Sequence, residues 1–193
     1  MFKHLAFLSI AIVTLCGESA RGDLVIKVSV ADPSAVVFTS LDVNAQNNDS
    51  TGSTKSGVTF EGFFSSSTSL GLVTIPSATR TLTPAGGTGP YTSVINTFGD
   101  LLGTDLNMYG GPGTMQQFSV LNRAFTGASI VNLSAYPLPS PGATGDIIVG
   151  DRTGGDSGVV IGQWVAVPEP SPVLYGSVVS LLLSLGSRWR RCG

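Results

Sequence analysis

Short runs in which apolar and polar side chains alternate recur along the middle of this 193-residue chain. In residues 24–30 every second side chain is apolar, and residues 58–64, around Phe60, alternate in the same way. Because successive side chains of a β-strand point to opposite faces of the sheet, a period of two favours half-buried strands over helices. This alternation is the strongest constraint that the sequence places on the fold.

Ten such runs are separated by clusters rich in Gly, Pro and Asn, which punctuate strands. The predicted strands are residues 24–30, 36–43, 58–64, 70–75, 80–83, 91–98, 117–121, 129–136, 146–149 and 159–167. Short strands at this spacing predict an all-β domain, specifically a single β-sandwich or jelly-roll-like domain. One helical turn is predicted within residues 94–108, where apolar residues follow a helical spacing. The predicted core comprises Ile26, Val28, Val37, Phe60, Ile130, Ile147, Ile161 and Val165.

The N-terminus has the features of a secretory signal peptide. Lys3 precedes an apolar run over residues 5–15, and the small residues Ala20 and Gly22 frame an A-x-G cleavage site that would leave Asp23 as the first mature residue. A lipoprotein signal ending at Cys16 is disfavoured, because Leu15 occupies a position where a small residue is expected. We therefore expect residues 1–22 to be removed by signal peptidase during export.

The predicted domain, residues 23–166, has five Lys and Arg residues against ten Asp and Glu residues, a net charge of −5. It has no basic cluster, which disfavours nucleic-acid binding and anionic membrane surfaces. Both cysteines, Cys16 and Cys192, lie in the end segments, so the domain has neither a disulfide nor a thiol nucleophile. Its stability must come from a core of ordinary side chains.

The C-terminal residues 167–193 form three consecutive parts. Pro168, Glu169 and Pro170 are followed by an apolar stretch over residues 173–187 and then by the basic cluster Arg188, Arg190 and Arg191. This order resembles the PEP-CTERM sorting tail of exported proteins in Gram-negative bacteria. The resemblance covers about a seventh of the chain and implies a short transmembrane sorting helix that is recognised and removed by exosortase.

Fifteen residues are fewer than the roughly 20 that cross a bilayer comfortably, so the apolar stretch suits a weak stop-transfer segment better than a permanent anchor. The positive-inside rule places the three arginines in the cytoplasm and the domain outside. We expect transient residence in the inner membrane, followed by delivery to the cell surface or extracellular matrix. A simple membrane anchor with a proline-rich stalk remains the alternative.

Two sequence patterns have a catalytic or metal-binding form. Residues 155–158 read Gly-Asp-Ser-Gly, as around the nucleophile of trypsin-like proteases, but the only histidine, His4, lies in the signal peptide and cannot serve Ser157 as a base. An oxygen-rich loop could attract Ca²⁺, although it lacks the glycine and glutamate of an EF-hand. Its weak candidate ligands are Asp42, Asn44, Asn48 and Asp49. Turn stabilisation by Asx side chains is the favoured interpretation of the loop, so no cofactor is expected.

We therefore expect a non-catalytic exported protein that is not an enzyme. The alternative is a carbohydrate-binding module of an exopolysaccharide matrix, with aromatic residues as a stacking platform. The candidates for such a platform are Tyr91, Tyr109, Tyr136 and Trp164. A secreted hydrolase is less favoured. Because Glu61 is the only glutamate of residues 23–166, a hydrolase would need a Glu-Asp or Asp-Asp pair that no motif specifies.

Overall fold

The computed structural model describes residues 22–49, 57–96, 103–111, 116–150 and 158–168, and this part of the chain is built from β-strands. The strands are β1 (Leu24–Ser29), β2 (Val36–Ser40), β3 (Val58–Phe60), β4 (Val73–Thr74), β5 (Thr83–Pro84), β6 (Ser93–Ile95), β7 (Leu106–Tyr109), β8 (Phe125–Thr126), β9 (Ala128–Val131), β10 (Thr144–Val149) and β11 (Val160–Val167). Two 3₁₀ turns, Pro33–Ala35 and Ser77–Thr79, are the helical elements in these ranges. The all-β prediction is confirmed.

Nine strands form one sheet in the order β4-β6-β7-β3-β10-β11-β1-β2-β9, and β5 pairs with β8 separately. Within the large sheet every pairing is antiparallel except β1 with β11. The first and last strands therefore lie side by side in the interior of the sheet and run in the same direction. As a result, Leu24 and Val160 lie towards one end of the sheet, and Ser29 and Val167 lie towards the other.

The sheet is strongly curled. Phe38 of β2 and Phe60 of β3 are separated by three strands in the sheet order, yet their ring centroids are 5.4 Å apart. In a flat sheet the same two strands would be about 19 Å apart, since neighbouring strands are about 4.8 Å apart. The curl folds the inner face over a single hydrophobic cluster, in which Phe63 also contacts Phe38 and Trp164.

Residues 80–84 link the β9 edge to a segment near the opposite end of the sheet order. The Thr81 N–H donates to the Ala128 carbonyl of β9, and the Tyr91 N–H, just before β6, donates to the Leu82 carbonyl. The segment therefore hydrogen-bonds with the β9 edge on one side and with the chain leading into β6 on the other. These bonds satisfy backbone groups that an open sheet edge would leave exposed.

The predicted core is correct for Ile26, Val28, Phe60, Ile147 and Ile161, all of which are fully buried. It is wrong for Val37, Ile130 and Val165, which are half-buried. In each strand the neighbouring residues face the core instead. These neighbours are Val36 and Phe38, Ser129 and Val131, and Trp164 and Ala166.

The error at Val165 has a local cause. Strict alternation from Ile161 would bury Val165, but the register of β11 shifts against both neighbours around Gly162. Gly162 has a φ of +154°, and a Cβ there would lie 2.6 Å from Val25 Cγ1. A bulge of this kind exchanges the two faces of the strand beyond it. Trp164 consequently turns inwards and Val165 outwards.

The predicted helical turn within residues 94–108 is wrong at both ends. Val94 and Ile95 belong to β6, and Leu106–Tyr109 forms β7, a strand that the alternation did not predict. Residues 97–102 lie outside the described ranges. In the described part of the chain, no helix is long and apolar enough to cross a membrane.

Candidate functional site

The oxygen-rich loop predicted from the sequence pairs with residues 118–124 of another loop. Backbone bridges join Asn44 with Arg123 and Asp49 with Phe118 in antiparallel register. The Ala45 N–H donates to the Asn122 carbonyl, which extends the same pairing. We call residues 43–49 and 118–124 together the Asn ribbon.

Between the two backbone bridges, the second segment of the Asn ribbon forms a turn. The Asn122 N–H donates to the Ser119 carbonyl, so Val120 and Leu121 lie at the tip of this turn. Two asparagine side chains replace the missing ladder bonds. Asn44 Nδ2 donates to the Val120 carbonyl at 3.1 Å, and Asn48 Oδ1 accepts from the Val120 N–H at 3.0 Å. We call these two asparagine amides the amide clamp; Leu121, at the tip of the turn that they hold, is 83% exposed.

The remaining candidate ligands in this loop also have protein partners. Asp42, at a left-handed φ of 60°, forms an ion pair with Arg123 at 3.1 Å. Asp49 is buried, and its backbone exchanges both hydrogen bonds with Phe118. Among the described residues, no group of three or more His, Cys, Asp or Glu side chains is placed to hold a metal ion. The structure thus brings the four predicted ligands into one loop and shows protein contacts for each.

A group of carboxylates that sequence reasoning missed surrounds the turn after β3. The Glu61 N–H donates to the Asp146 carbonyl, and the Gly62 N–H donates to Asp105 Oδ1 at 2.7 Å. Gln163 Nε2 donates to Asp146 Oδ1 at 2.8 Å. These contacts bring the only glutamate of the predicted domain near two aspartates. The carboxylates of Asp105 and Asp146 accept hydrogen bonds from protein donors, and these bonds stabilise the turn and the adjoining strands.

The predicted aromatic platform is not assembled as a surface. Tyr91 and Trp164 are fully buried, and each donates a hydrogen bond inside the protein. The Tyr91 hydroxyl donates to Gln116 Oε1 at 3.1 Å, and Trp164 Nε1 donates to the Glu61 carbonyl at 3.2 Å. Burial raises the pKa of Tyr91 well above its ordinary value. Tyr109 and Tyr136 are half-buried, and Tyr136 packs against Phe64.

The junctions predicted for processing lie next to the two parallel strands, just before β1 and just after β11. The Asp23 carbonyl accepts from the Gln163 N–H at 2.9 Å, and Gly22 lies against Gln46. Pro168 is exposed and follows β11 directly. The other predicted sorting residues, Glu169, Pro170, Arg188, Arg190 and Arg191, lie outside the described ranges, as does Ser157.

In comparisons with known proteins, no family model, no curated protein and no solved structure matches the chain.

Proposed function

We propose that this chain is an exported, non-catalytic protein of the cell surface or extracellular matrix, and that an exosortase processes its C-terminal tail. The proposal rests on the order of the Pro168-Glu169-Pro170 triplet, the apolar stretch and the terminal arginines. One structural observation supports it. The ordered sheet continues to Val167, and the triplet begins at the next residue. A tail that starts where the last strand ends can be removed without deleting any strand residue.

We further propose that the domain is a β-sandwich or a jelly-roll-like variant of one. The contact between Phe38 and Phe60 supports this, because two distant strands of one sheet then face each other across a shared core. Sandwich cores are formed in the same way, by inward side chains from two facing layers. Hydrogen bonds from residues 80–84 to β9 and to the chain leading into β6, which are far apart in the sheet order, support the same closure.

The non-catalytic part of the proposal is supported by chemistry. Without His4 and the two cysteines, the mature domain has no imidazole and no thiol with which to activate a nucleophile. Near Glu61, the carboxylates of Asp105 and Asp146 accept hydrogen bonds from the protein. Those bonds give both carboxylates a structural role at the turn after β3.

Substitution of Glu169 tests the proposal. In a host that carries an exosortase, we expect Glu169→Ala to be exported and to accumulate unprocessed in the inner membrane. The reason is that Glu169 is the single charge between the two prolines and the apolar stretch. Ser171→Ala, which leaves the triplet intact, is the matched control and should be processed normally. Immunoblots of membrane and released fractions measure both forms. Processing of Glu169→Ala at the wild-type rate would instead favour a simple membrane anchor.

A further inference from the structure

The last strand, β11, ends at the residue directly before the proposed sorting triplet. β11 lies between β10 and β1, and Val167 is paired with Ser29 at the end of the parallel ladder. Pro168, the first residue of the triplet, follows immediately and is exposed. No spacer therefore separates the triplet from the folded sheet.

A protein that cuts or reads an extended peptide commonly binds it as an added strand, through backbone groups on one free edge. Both edges of β11 are already occupied, by β10 on one side and by β1 on the other. The strand is also fixed by burial, since Trp164 is fully buried and Ala166 is 1% exposed. Residues on the N-terminal side of the triplet can enter a protease cleft only after they leave the sheet.

The last two residues of β11 are bonded to the chain on both sides of the strand. Val167 accepts one long hydrogen bond from the Val30 N–H, at 3.4 Å. Ala166 is held by two shorter bonds of 2.8 Å each, because its N–H donates to the Ala143 carbonyl and its carbonyl accepts from the Gly142 N–H. Val167 is also paired with Ser29 in the ladder with β1, so each of the two residues leaves the sheet only when its backbone bonds break.

We infer that the folded sheet restrains cleavage at the triplet, and that processing proceeds through local opening of the end of β11 to Ala166. This inference rests on the proposed function and adds a regulatory step to it. When opening and closing are fast relative to cleavage, the cleavage rate follows the population of the open form. The stability of one strand end then sets how quickly the domain is released from its tail.

A spacer tests the inference directly. Four residues, Gly-Ser-Gly-Ser, inserted between Val167 and Pro168 move the triplet away from the sheet in the full chain. We expect processing to accelerate about 30-fold, the factor that corresponds to two hydrogen bonds of ordinary strength that no longer have to break. The matched control places the same four residues between the exposed Ser66 and Ser67, which leaves the triplet against the sheet. Pulse-chase measurement of the precursor gives both rates.

A pair of substitutions separates local opening from loss of overall stability. Val167→Gly loosens the end of β11 beside the triplet, and Val160→Gly makes the same change at the opposite end, where the valine is also half-buried. We expect a two- to threefold faster processing for Val167→Gly, on the order of the strand preference of valine over glycine, and no acceleration for Val160→Gly. Equal acceleration by both would assign control to global unfolding and overturn the inference.

The outcomes also distinguish this inference from the proposed function. An unchanged rate in the spacer variant, with cleavage still dependent on Glu169, would overturn the restraint and leave the sorting function intact. Cleavage of Glu169→Ala at the wild-type rate would remove the sorting function itself, whatever the spacer does.

Discussion

The aromatic core and the Asn ribbon both join distant parts of the chain, but different interactions hold them. In the core, Phe38, Phe60, Phe63 and Trp164 contact one another with their side chains fully buried. In the Asn ribbon, two asparagine amides bond to the Val120 backbone at an exposed turn. Burial of an aromatic side chain contributes several kcal/mol, whereas an exposed hydrogen bond contributes about 1 kcal/mol. The core should therefore determine whether the domain folds, and the Asn ribbon should determine the local shape of one loop.

The largest expected effect lies in the core. Trp164→Ala should lower the free energy of unfolding by about 3–5 kcal/mol, because it removes a fully buried indole and leaves a cavity among the phenylalanines. The adjacent Val165→Ala, on the half-buried face of the same strand, should cost about 1 kcal/mol or less. Urea denaturation of the purified protein measures both losses of stability. A similar loss for the two variants would show that β11 is not buried on one face.

Tyr91 combines the two kinds of interaction, since it is a buried ring whose hydroxyl bonds to Gln116. Tyr91→Phe should cost about 1–3 kcal/mol, because Gln116 Oε1 loses the hydroxyl donor inside the protein. The Gln116 side chain also donates to the Gly57 carbonyl at 2.7 Å, which limits its freedom to turn towards water.

The same variant has a distinct pH signature. Because the pKa of Tyr91 is raised in the folded state, the unfolded chain loses this proton first as the pH rises above the ordinary value of 10.0. Stability from this group is thus present below that pH and falls as the pH rises towards the folded pKa. Denaturation midpoints measured from about pH 8 to about pH 11 should fall more steeply for wild type than for Tyr91→Phe. Parallel curves would contradict the burial of this hydroxyl.

Sequence patterns predicted much of the core and little of the Asn ribbon. Alternation identified β1, β2 and β11 because each of these strands buries every second side chain over part of its length. It failed beyond Gly162, since a bulge depends on a close approach to Val25 that no local pattern encodes. It also missed β7, whose buried face includes the polar Asn107, an unusual residue for a core position.

Sequence patterns also did not predict which distant segments of the chain pair with each other. The asparagines of the loop were visible in the sequence, but their partner at Val120 lies 76 residues beyond Asn44. The turn of Glu61 and Gly62 meets Asp105 and Asp146 only because β3 lies between β7 and β10. Such groupings depend on sheet order, which short-range periodicity does not contain.

Removal of either asparagine of the amide clamp should lower the free energy of unfolding moderately. Asn48→Ala and Asn44→Ala each remove one side-chain bond to the Val120 backbone, and each should cost about 1 kcal/mol. Leu121→Ser is the matched control, because Leu121 lies at the exposed tip and its replacement should change stability by no more than about 0.5 kcal/mol. Amide hydrogen exchange at Val120 should accelerate in Asn48→Ala and stay unchanged in Leu121→Ser. Unchanged exchange in the asparagine variant would mean that water substitutes fully for the clamp.

The smallest expected effect concerns the ion pair between Asp42 and Arg123. Their side chains are 61% and 57% exposed, so solvent screens the attraction, and such pairs typically contribute about 0.2–1 kcal/mol. Asp42 has a left-handed φ of 60°, and asparagine tolerates that conformation far better than alanine does. Asp42→Asn therefore removes the charge without adding backbone strain. A double-mutant cycle with Arg123→Gln should give a coupling in this range that shrinks as salt is raised from about 0.05 to about 0.5 M. A coupling that is larger and insensitive to salt would mean that the pair is shielded from solvent, and the contrast between a buried core and a solvated Asn ribbon would then be wrong at this position.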